Sequence, residues 1–315
     1  MMRDNCIILL SIASILISNT GFASNTGNSS GENGQNNLVS TPVSNEIRWY
    51  KNDFPPYFIT DGQLKNKGIL DLLYPHVIDI FPGFKHKFFI SNNLGFLKRA
   101  DSGDDVCSLS VMKTEERAEK VFFSKPYLYV LQNAVFVRGQ DIDKFVKYLD
   151  KEGRVSLKEL IEDENLRIGI MQGASYGLGI DGIISKSINN KNVITRKGSD
   201  FSEGLFKMLK LGRIDYMITY DESIQFLLKK LNFKSEYLFI PIADDSVKHL
   251  NQGRVACAKT KVGKLVIEKV NNAIEEGNLV SKAQEYYMGW LSEGAIKEYK
   301  KTLRERDERA KQEKK

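Results

Sequence analysis

Arg117 is the residue of this chain best suited by type and setting to capture a small charged molecule. It closes the segment Thr114-Glu115-Glu116-Arg117, just past the apolar run of residues 106–111. A guanidinium presents a planar fork of N–H donors that matches a carboxylate two to two. Thr114 can cap the short helix that carries Glu115 and Glu116. Read alone, the same residues also describe a capped surface helix with a solvated charged face. A second group, Gly173-Ala174-Ser175-Tyr176-Gly177, has the G-x-S-x-G form in which a strand-to-helix turn exposes a nucleophilic serine. Asp221, Asp244 and His249 follow it in the order a secreted serine hydrolase would need, although no His-Gly-Gly oxyanion segment precedes Ser175. His76, His86 and His249 have no metal-ligand spacing, and the chain carries no phosphate-binding or dinucleotide glycine pattern. No metal and no cofactor are therefore expected, and a site with no catalytic residue is expected, with a secreted serine hydrolase using Ser175 as the alternative.

The elements that must position these groups alternate between strand and helix. Residues 47–49 and 87–90 read as short strands, and residues 68–80 between them as a helix interrupted by Pro75. A short helix at 94–99, a strand at 106–111, the helix after Thr114 and a long extended stretch at 127–137 follow. Residues 141–149 and 157–161 have helical spacing, broken at Gly153. A second alternating block opens with a strand at 167–171 and a helix interrupted by Gly177, Gly179 and Gly182. Asp200-Phe201-Ser202-Glu203 has capping-box form and starts a helix that stops at Gly212. A strand at 215–219, a helix at 223–231, an extended return at 237–242, a strand at 254–258 and a helix at 263–276 complete the order.

Four stretches in this order carry a resemblance. Phe54-Pro55-Pro56-Tyr57 with Asp61-Gly62 and Gly68 is the first. Thr114-Glu115-Glu116-Arg117 with Phe123-Ser124-Lys125-Pro126-Tyr127 is the second. Ile168-Gly169-Ile170-Met171-Gln172-Gly173-Ala174-Ser175 and Gly212-Arg213-Ile214-Asp215 are the third and fourth. Over residues 46–292 the chain resembles the family 3 solute-binding proteins of bacterial ABC transporters, the polar amino-acid type, as a divergent member. The resemblance implies an α/β, two-lobed periplasmic-binding-protein-like fold of type II, with two α/β lobes joined by two crossing strands. Lobe 1 would take residues 46–138 plus 242–292, and lobe 2 residues 139–241. The crossings would lie near residues 136–139 and 240–243. By the same carry-over Arg117 clamps the ligand's carboxylate from lobe 1, Ser175 and the backbone from Gly173 meet it from lobe 2, Phe54 covers its side chain, and Ser110 presents a polar group. A small-molecule ligand, anionic or amino-acid-like, and an ABC permease are the implied partners of a monomer. Enzymatic lyase activity, known in this fold, would need an acid–base pair in the cleft, and the sequence nominates none.

Two positions depart from the family's pattern. Tyr220 stands where amino-acid binders carry an aspartate for the ammonium, with Asp221 one step later, and a one-residue shift along a strand turns a side chain to the other face. Met112 stands where a hydroxyl is usual. The inferred ligand is thus a small carboxylate-bearing or otherwise anionic solute that need not be an α-amino acid.

The ends of the chain bear on compartment and partners. Arg3, a twelve-residue apolar run at 6–17, and Gly21 and Ala23 lead us to expect a cleavable secretory signal at residues 1–23, with a retained N-terminal anchor as the alternative. That run is shorter than the ~18 apolar residues a spanning helix requires. No lipobox cysteine follows, so a free periplasmic protein is expected. Residues 24–45, rich in Asn, Gly and Ser, form a flexible leader. The net charge of +6 hints at nucleic acid, but residues 299–315 hold eight basic and four acidic side chains and no interleaved aromatics, and so supply +4. A charged, solvated helical tail at 293–315, with no nucleic-acid partner, is the expectation. Export leaves Cys107 and Cys257. An oxidising compartment favours pairing, and the resemblance sets their strands side by side; two buried thiols are the alternative.

Overall fold

The computed structural model describes residues 45–197, 202–233, 236–247 and 250–312, with only the backbone at Leu178. The signal, the leader up to Ser44, Asp200 and Phe201 of the capping-box motif, His249 and the last three residues lie outside the described residues. Among the described residues no helix is long and apolar enough to cross a membrane.

The first half runs β1 (Glu46–Lys51), α1 (Ile69–Ile78), β2 (Lys85–Ile90), α2 (Asn93–Asp101), β3 (Val106–Ser108), α3 (Glu115–Lys120), β4 (Val121–Phe123), β5 (Leu128–Leu131) and β6 (Ala134–Arg138). Two 3-10 turns, Gly139–Lys144 and Val146–Tyr148, stand where a helix over 141–149 was expected. Next come α4 (Leu157–Glu162), β7 (Ile168–Met171), α5 (Leu178–Ser187), β8 (Val193–Arg196), α6 (Glu203–Lys210), β9 (Tyr216–Thr219), α7 (Asp221–Lys230) and β10 (Tyr237–Ile240). The chain ends in β11 (Leu250–Gly253), β12 (Ala256–Ala258), α8 (Lys261–Glu276), α9 (Asn278–Met288) and α10 (Glu293–Gln312).

Two five-stranded sheets organise these elements. The first has the order β2-β1-β3-β12-β4 and the second β10-β6-β9-β7-β8. In the first, β1 pairs parallel with both β2 and β3, while the returning β12 lies antiparallel between β3 and β4. Alternation in β1 buries Ile47 and Trp49 against α1, which contributes Ile69, Leu70, Leu73, Tyr74 and Val77 to the same core. Helix α1 runs through Pro75, which lacks the N–H for a bond to residue 71. The Asp71 side-chain carboxylate accepts from the backbone N–H of Ile59 and Gly68, which fixes the helix start. In the second sheet β7 and β9 are buried on both faces, as parallel central strands flanked by helices must be. One face packs on α4 and α5 and the other on α6 and α7.

The extended stretch at 127–137 divides in two. Strand β5 pairs antiparallel with β11 as a separate ribbon and packs in the first core, whereas β6 pairs with β9 and β10 in the second sheet. The outward crossing therefore falls at Gln132 and Asn133, earlier than the expected 136–139, so residues 134–138 belong with lobe 2. The return runs from the end of β10 to the start of β11.

Cys257 of β12 lies directly opposite Cys107 of β3, and the two form a disulfide. The tail is helical as expected, but one side is not solvated. Ala295 and Tyr299 are fully buried in the first core, the Tyr299 hydroxyl donates to the Tyr129 carbonyl at 2.8 Å, and the Arg306 guanidinium covers the Tyr129 ring at 3.8 Å. Lys301 pairs with Glu152 of the second lobe, so α10 touches both lobes.

Candidate functional site

A cavity of about 140 Å³ opens where the strand ends of the first lobe face β9 and α7 of the second. Phe54, Tyr57, Leu70, Leu109, Val111 and Met112 form much of its first-lobe wall, with Leu128 and Val130 of β5 behind. Ser110, Tyr220, Asn251, Gln252 and Arg254 supply polar side chains.

The aromatic wall is set by a tight turn. Phe54 and Phe58 exchange backbone hydrogen bonds at 3.1 Å each way, and the Tyr57 N–H donates to the Phe54 carbonyl at 2.8 Å. Phe58 is thereby buried in the core while Phe54, 45% exposed, projects into the cleft. The Phe54 and Tyr57 rings stack with centroids 5.3 Å apart and planes 8° from parallel. On the opposite side Tyr220 stands between β9 and α7, and burial pushes its hydroxyl up to about 12. The Asn251 side-chain amide reaches that hydroxyl at 3.4 Å and the Gln132 side-chain carbonyl at 3.1 Å, linking the β11 ribbon to the crossing. Ser110 lines the cavity and donates to the Asn52 side-chain oxygen at 2.5 Å.

Phe54, Ser110 and Tyr220 of the expected residues thus share this cavity. Arg117 stands beside it. Thr114 caps α3 by accepting from the Arg117 N–H at 3.2 Å, and the guanidinium donates to the carbonyl of Met112, itself a lining residue, at 2.9 Å. Gly173 and Ser175 are exposed and outside the lining. Gly173 has φ +76°, a conformation that favours glycine in the turn after β7. The Ser175 hydroxyl donates to Asp181 at 2.6 Å, and the same carboxylate accepts from the Tyr176 N–H at 2.7 Å, so this serine is tied to the first turn of α5.

The two acids that follow Ser175 in the hydrolase order are engaged elsewhere. Asp244 accepts from Ser156 and from the Leu157 and Lys158 N–H groups at the start of α4. Asp221 is buried and accepts from the Ser292 N–H at 2.6 Å and hydroxyl at 2.9 Å. Burial pushes its carboxyl up to about 6 against those bonds. Asp221 opens α7 and faces the first lobe's C-terminal helices, so no bulge brings it toward the cavity. Its neighbour Glu222 is fully buried between the lobes, accepting from the Tyr57 hydroxyl at 2.7 Å and the Tyr287 hydroxyl at 3.3 Å. Burial pushes this carboxyl up to about 7, while the two hydroxyl bonds pull it down. Asp215 of the Gly-x-x-Asp element ties β9 to β7 by accepting from the Arg167 N–H at 2.9 Å and Nε at 3.0 Å. Among the described residues no group of three His, Cys, Asp or Glu could hold a metal ion.

Tyr57, Asn251, Gln252 and Arg254 are lining residues that sequence reasoning did not assign. Tyr57 was legible as part of an aromatic turn. The other three lie on or just after β11, whose sequence Leu-Asn-Gln-Gly has no apolar alternation, so no local signal marks it as a strand.

No family model matches the chain, and no curated protein matches it. Solved structures do. The probable amino-acid ABC transporter extracellular-binding protein ytmK of Bacillus subtilis is similar over 80% of this chain and 100% of its own, with a TM-score of 0.56 and 16% identity. A chain from the structural study of glutathione import through GshT and the cystine importer TcyBC of Streptococcus mutans gives 0.54 and 15%, over 78% and 95%. Substrate-binding domain 2 of Lactococcus lactis GlnP, in an open conformation, gives 0.52 and 17%, over 78% and 97%. The chain has the two-lobed type II periplasmic-binding-protein fold. At these identities the likeness establishes the fold alone.

Proposed function

We propose that this chain is an exported solute-binding protein that captures a small carboxylate-bearing solute between its lobes, in the periplasm and for ABC-type uptake. The observation that carries the reading is the cavity at the lobe junction, where a stacked Phe54–Tyr57 pair faces Tyr220 across the cleft and Arg117 stands at the rim. An apolar wall with a few convergent polar groups is the usual make-up of a small-molecule site. Arg117 uses one N–H on the Met112 carbonyl, and its remaining donors are the anion clamp of this reading. Ser175 and the Gly173 turn join from the second lobe when the cleft closes. One of the three solved structures is named as an ABC transporter extracellular-binding protein, one comes from a study of import and one is named as a substrate-binding domain, which supports the role without fixing the solute.

Denaturing the purified protein and identifying the released molecules by mass spectrometry tests the reading. A small anion released in near one-to-one ratio is the expected result. Arg117→Ala then weakens that solute's binding at least about tenfold, and Arg117→Lys restores it only in part, because an ammonium lacks the bidentate fork. Binding by Arg117→Ala within about twofold of the parent protein refutes the clamp.

A further inference from the structure

Arg254 is the only ionised side chain among the residues lining the cavity. It follows β11 directly, where the chain turns into β12, and is partly buried. Its guanidinium donates to the Ser124 carbonyl and the Gln252 side-chain oxygen, both at 2.6 Å. Those two neutral acceptors fix its position without cancelling its charge. Among the described residues no Asp or Glu pairs with it. An arginine held by neutral acceptors in an apolar wall carries an uncompensated positive charge, and a carboxylate is the group its free donors match.

The same cavity offers no counter-ion to an ammonium, only aromatic faces and neutral oxygens. Its lining contains no Asp or Glu. The two acids of the facing lobe that follow Tyr220 are turned away, Asp221 onto Ser292 and Glu222 behind Tyr57. A protonated amine brought here would meet the like charge of Arg254 with no carboxylate counter-ion in the lining. The body of the solute meets the Phe54–Tyr57 stack, Leu109, Val111, Leu128 and Val130. About 140 Å³ is close to the space that holds a benzene-sized group.

We propose that Arg254 is a second anion-reading residue of the cleft, and that the cleft selects carboxylates with an aromatic or similarly compact apolar body and no protonated amine. This deepens the solute-binding reading above and rests on it. Sequence position did not suggest Arg254, because it reads as the first residue of a strand at 254–258, whereas β12 begins only at Ala256.

Isothermal titration calorimetry with three probes that share one aromatic body tests the inference: 3-phenylpropionate, phenylalanine and phenethylamine. The expected order is 3-phenylpropionate at least about tenfold tighter than phenylalanine, with phenethylamine weakest. Arg254→Lys keeps the preference at reduced affinity, and Arg254→Glu abolishes 3-phenylpropionate binding and favours phenethylamine. A purely structural role for Arg254 could not invert the charge preference. Should Arg254→Glu fail to fold, Arg254→Gln, which keeps two donors, replaces it and is expected to lose the preference for the anion. Phenylalanine or phenethylamine binding as tightly as 3-phenylpropionate overturns the proposal, as does a folded Arg254→Gln that binds 3-phenylpropionate within about twofold of the parent. If none of the probes binds, the solute class is wrong. The solute-binding reading would fail separately, on the absence of any released molecule.

Discussion

Replacing Glu222 by glutamine removes a buried charge from the lobe junction, and the size of the effect depends on pH. Glu222 is 0% exposed and its carboxyl is raised from the ordinary 4.5 to about 7 by burial. Below about pH 4.5 the group is neutral in both the folded and the unfolded chain, so its burial carries no ionic penalty. As pH rises from about 4.5 toward about 7 the unfolded chain ionises first, and folding stability falls. Above about 7 the whole loss is realised. At about 1.4 kcal/mol per pH unit, the gap comes to about 3 kcal/mol. Glutamine keeps an acceptor for one of the Tyr57 and Tyr287 hydroxyls and never ionises. Denaturant unfolding of the parent and Glu222→Gln proteins at about pH 4.5 and about pH 8 reads the difference. The variant is expected to match the parent to within about 1 kcal/mol at the lower pH and to exceed it by about 3 kcal/mol at the higher. Comparing the two proteins cancels the distant titrations they share, whereas the charge of the adjacent Asp221 is itself one of the causes that raise Glu222. A difference that is the same at both pH values, or a variant less stable at about pH 8, refutes the argument.

Two further outcomes concern the scaffold. The Cys107–Cys257 disulfide closes a sequence separation of 150 residues, for which loop-closure entropy gives about 5 kcal/mol; unfolding the Cys107→Ala/Cys257→Ala protein beside the oxidised parent measures it, and a loss under about 1 kcal/mol contradicts it. Tyr299→Ala removes a ring 0% exposed, 5.0 Å from the Tyr287 ring, and is expected to cost about 3–5 kcal/mol in the same assay; a loss under about 1 kcal/mol would mean that α10 is only loosely attached.

Much of the architecture is legible where side-chain pattern and burial agree. The alternation of β1, the helical stripe of α1 and the four-residue apolar runs of β7 and β9 mark core elements because each must bury a face. The division of residues 127–137 between β5 and β6 is not legible, since both strands are apolar and only Gln132 and Asn133 separate them. What decides it is pairing: β5 bonds to β11 and β6 to β9, contacts far away in the chain. The buried side of α10 is hidden for a different reason. Ala295, Tyr299 and Thr302 form a narrow inward stripe among charged residues, so composition reads as solvated. At the site, Phe54 and Ser110 reach the cavity from positions the resemblance marks. Arg254 does not announce itself, because its place depends on the β11 turn. Asp221 shows the limit of register arguments: α7 begins there, and its carboxylate follows the helix start to Ser292.

The cleft account implies motion. Tyr220, Ser175 and the Gly173 turn belong to one lobe and Phe54, Arg117 and Arg254 to the other, so a bound anion with an apolar body gains contacts as the lobes approach. The bonds from Tyr57 and Tyr287 to Glu222 and from Ser292 to Asp221 already join the lobes on the α7 side, and α10 spans them through Lys301 and Glu152. The crossings at Gln132–Asn133 and between β10 and β11 are where the chain can bend. Small-angle scattering of the protein with and without its released solute, at saturation verified by calorimetry, tests this most directly. A smaller radius of gyration in the bound state is the predicted result, and an unchanged radius with binding verified would contradict capture by closure.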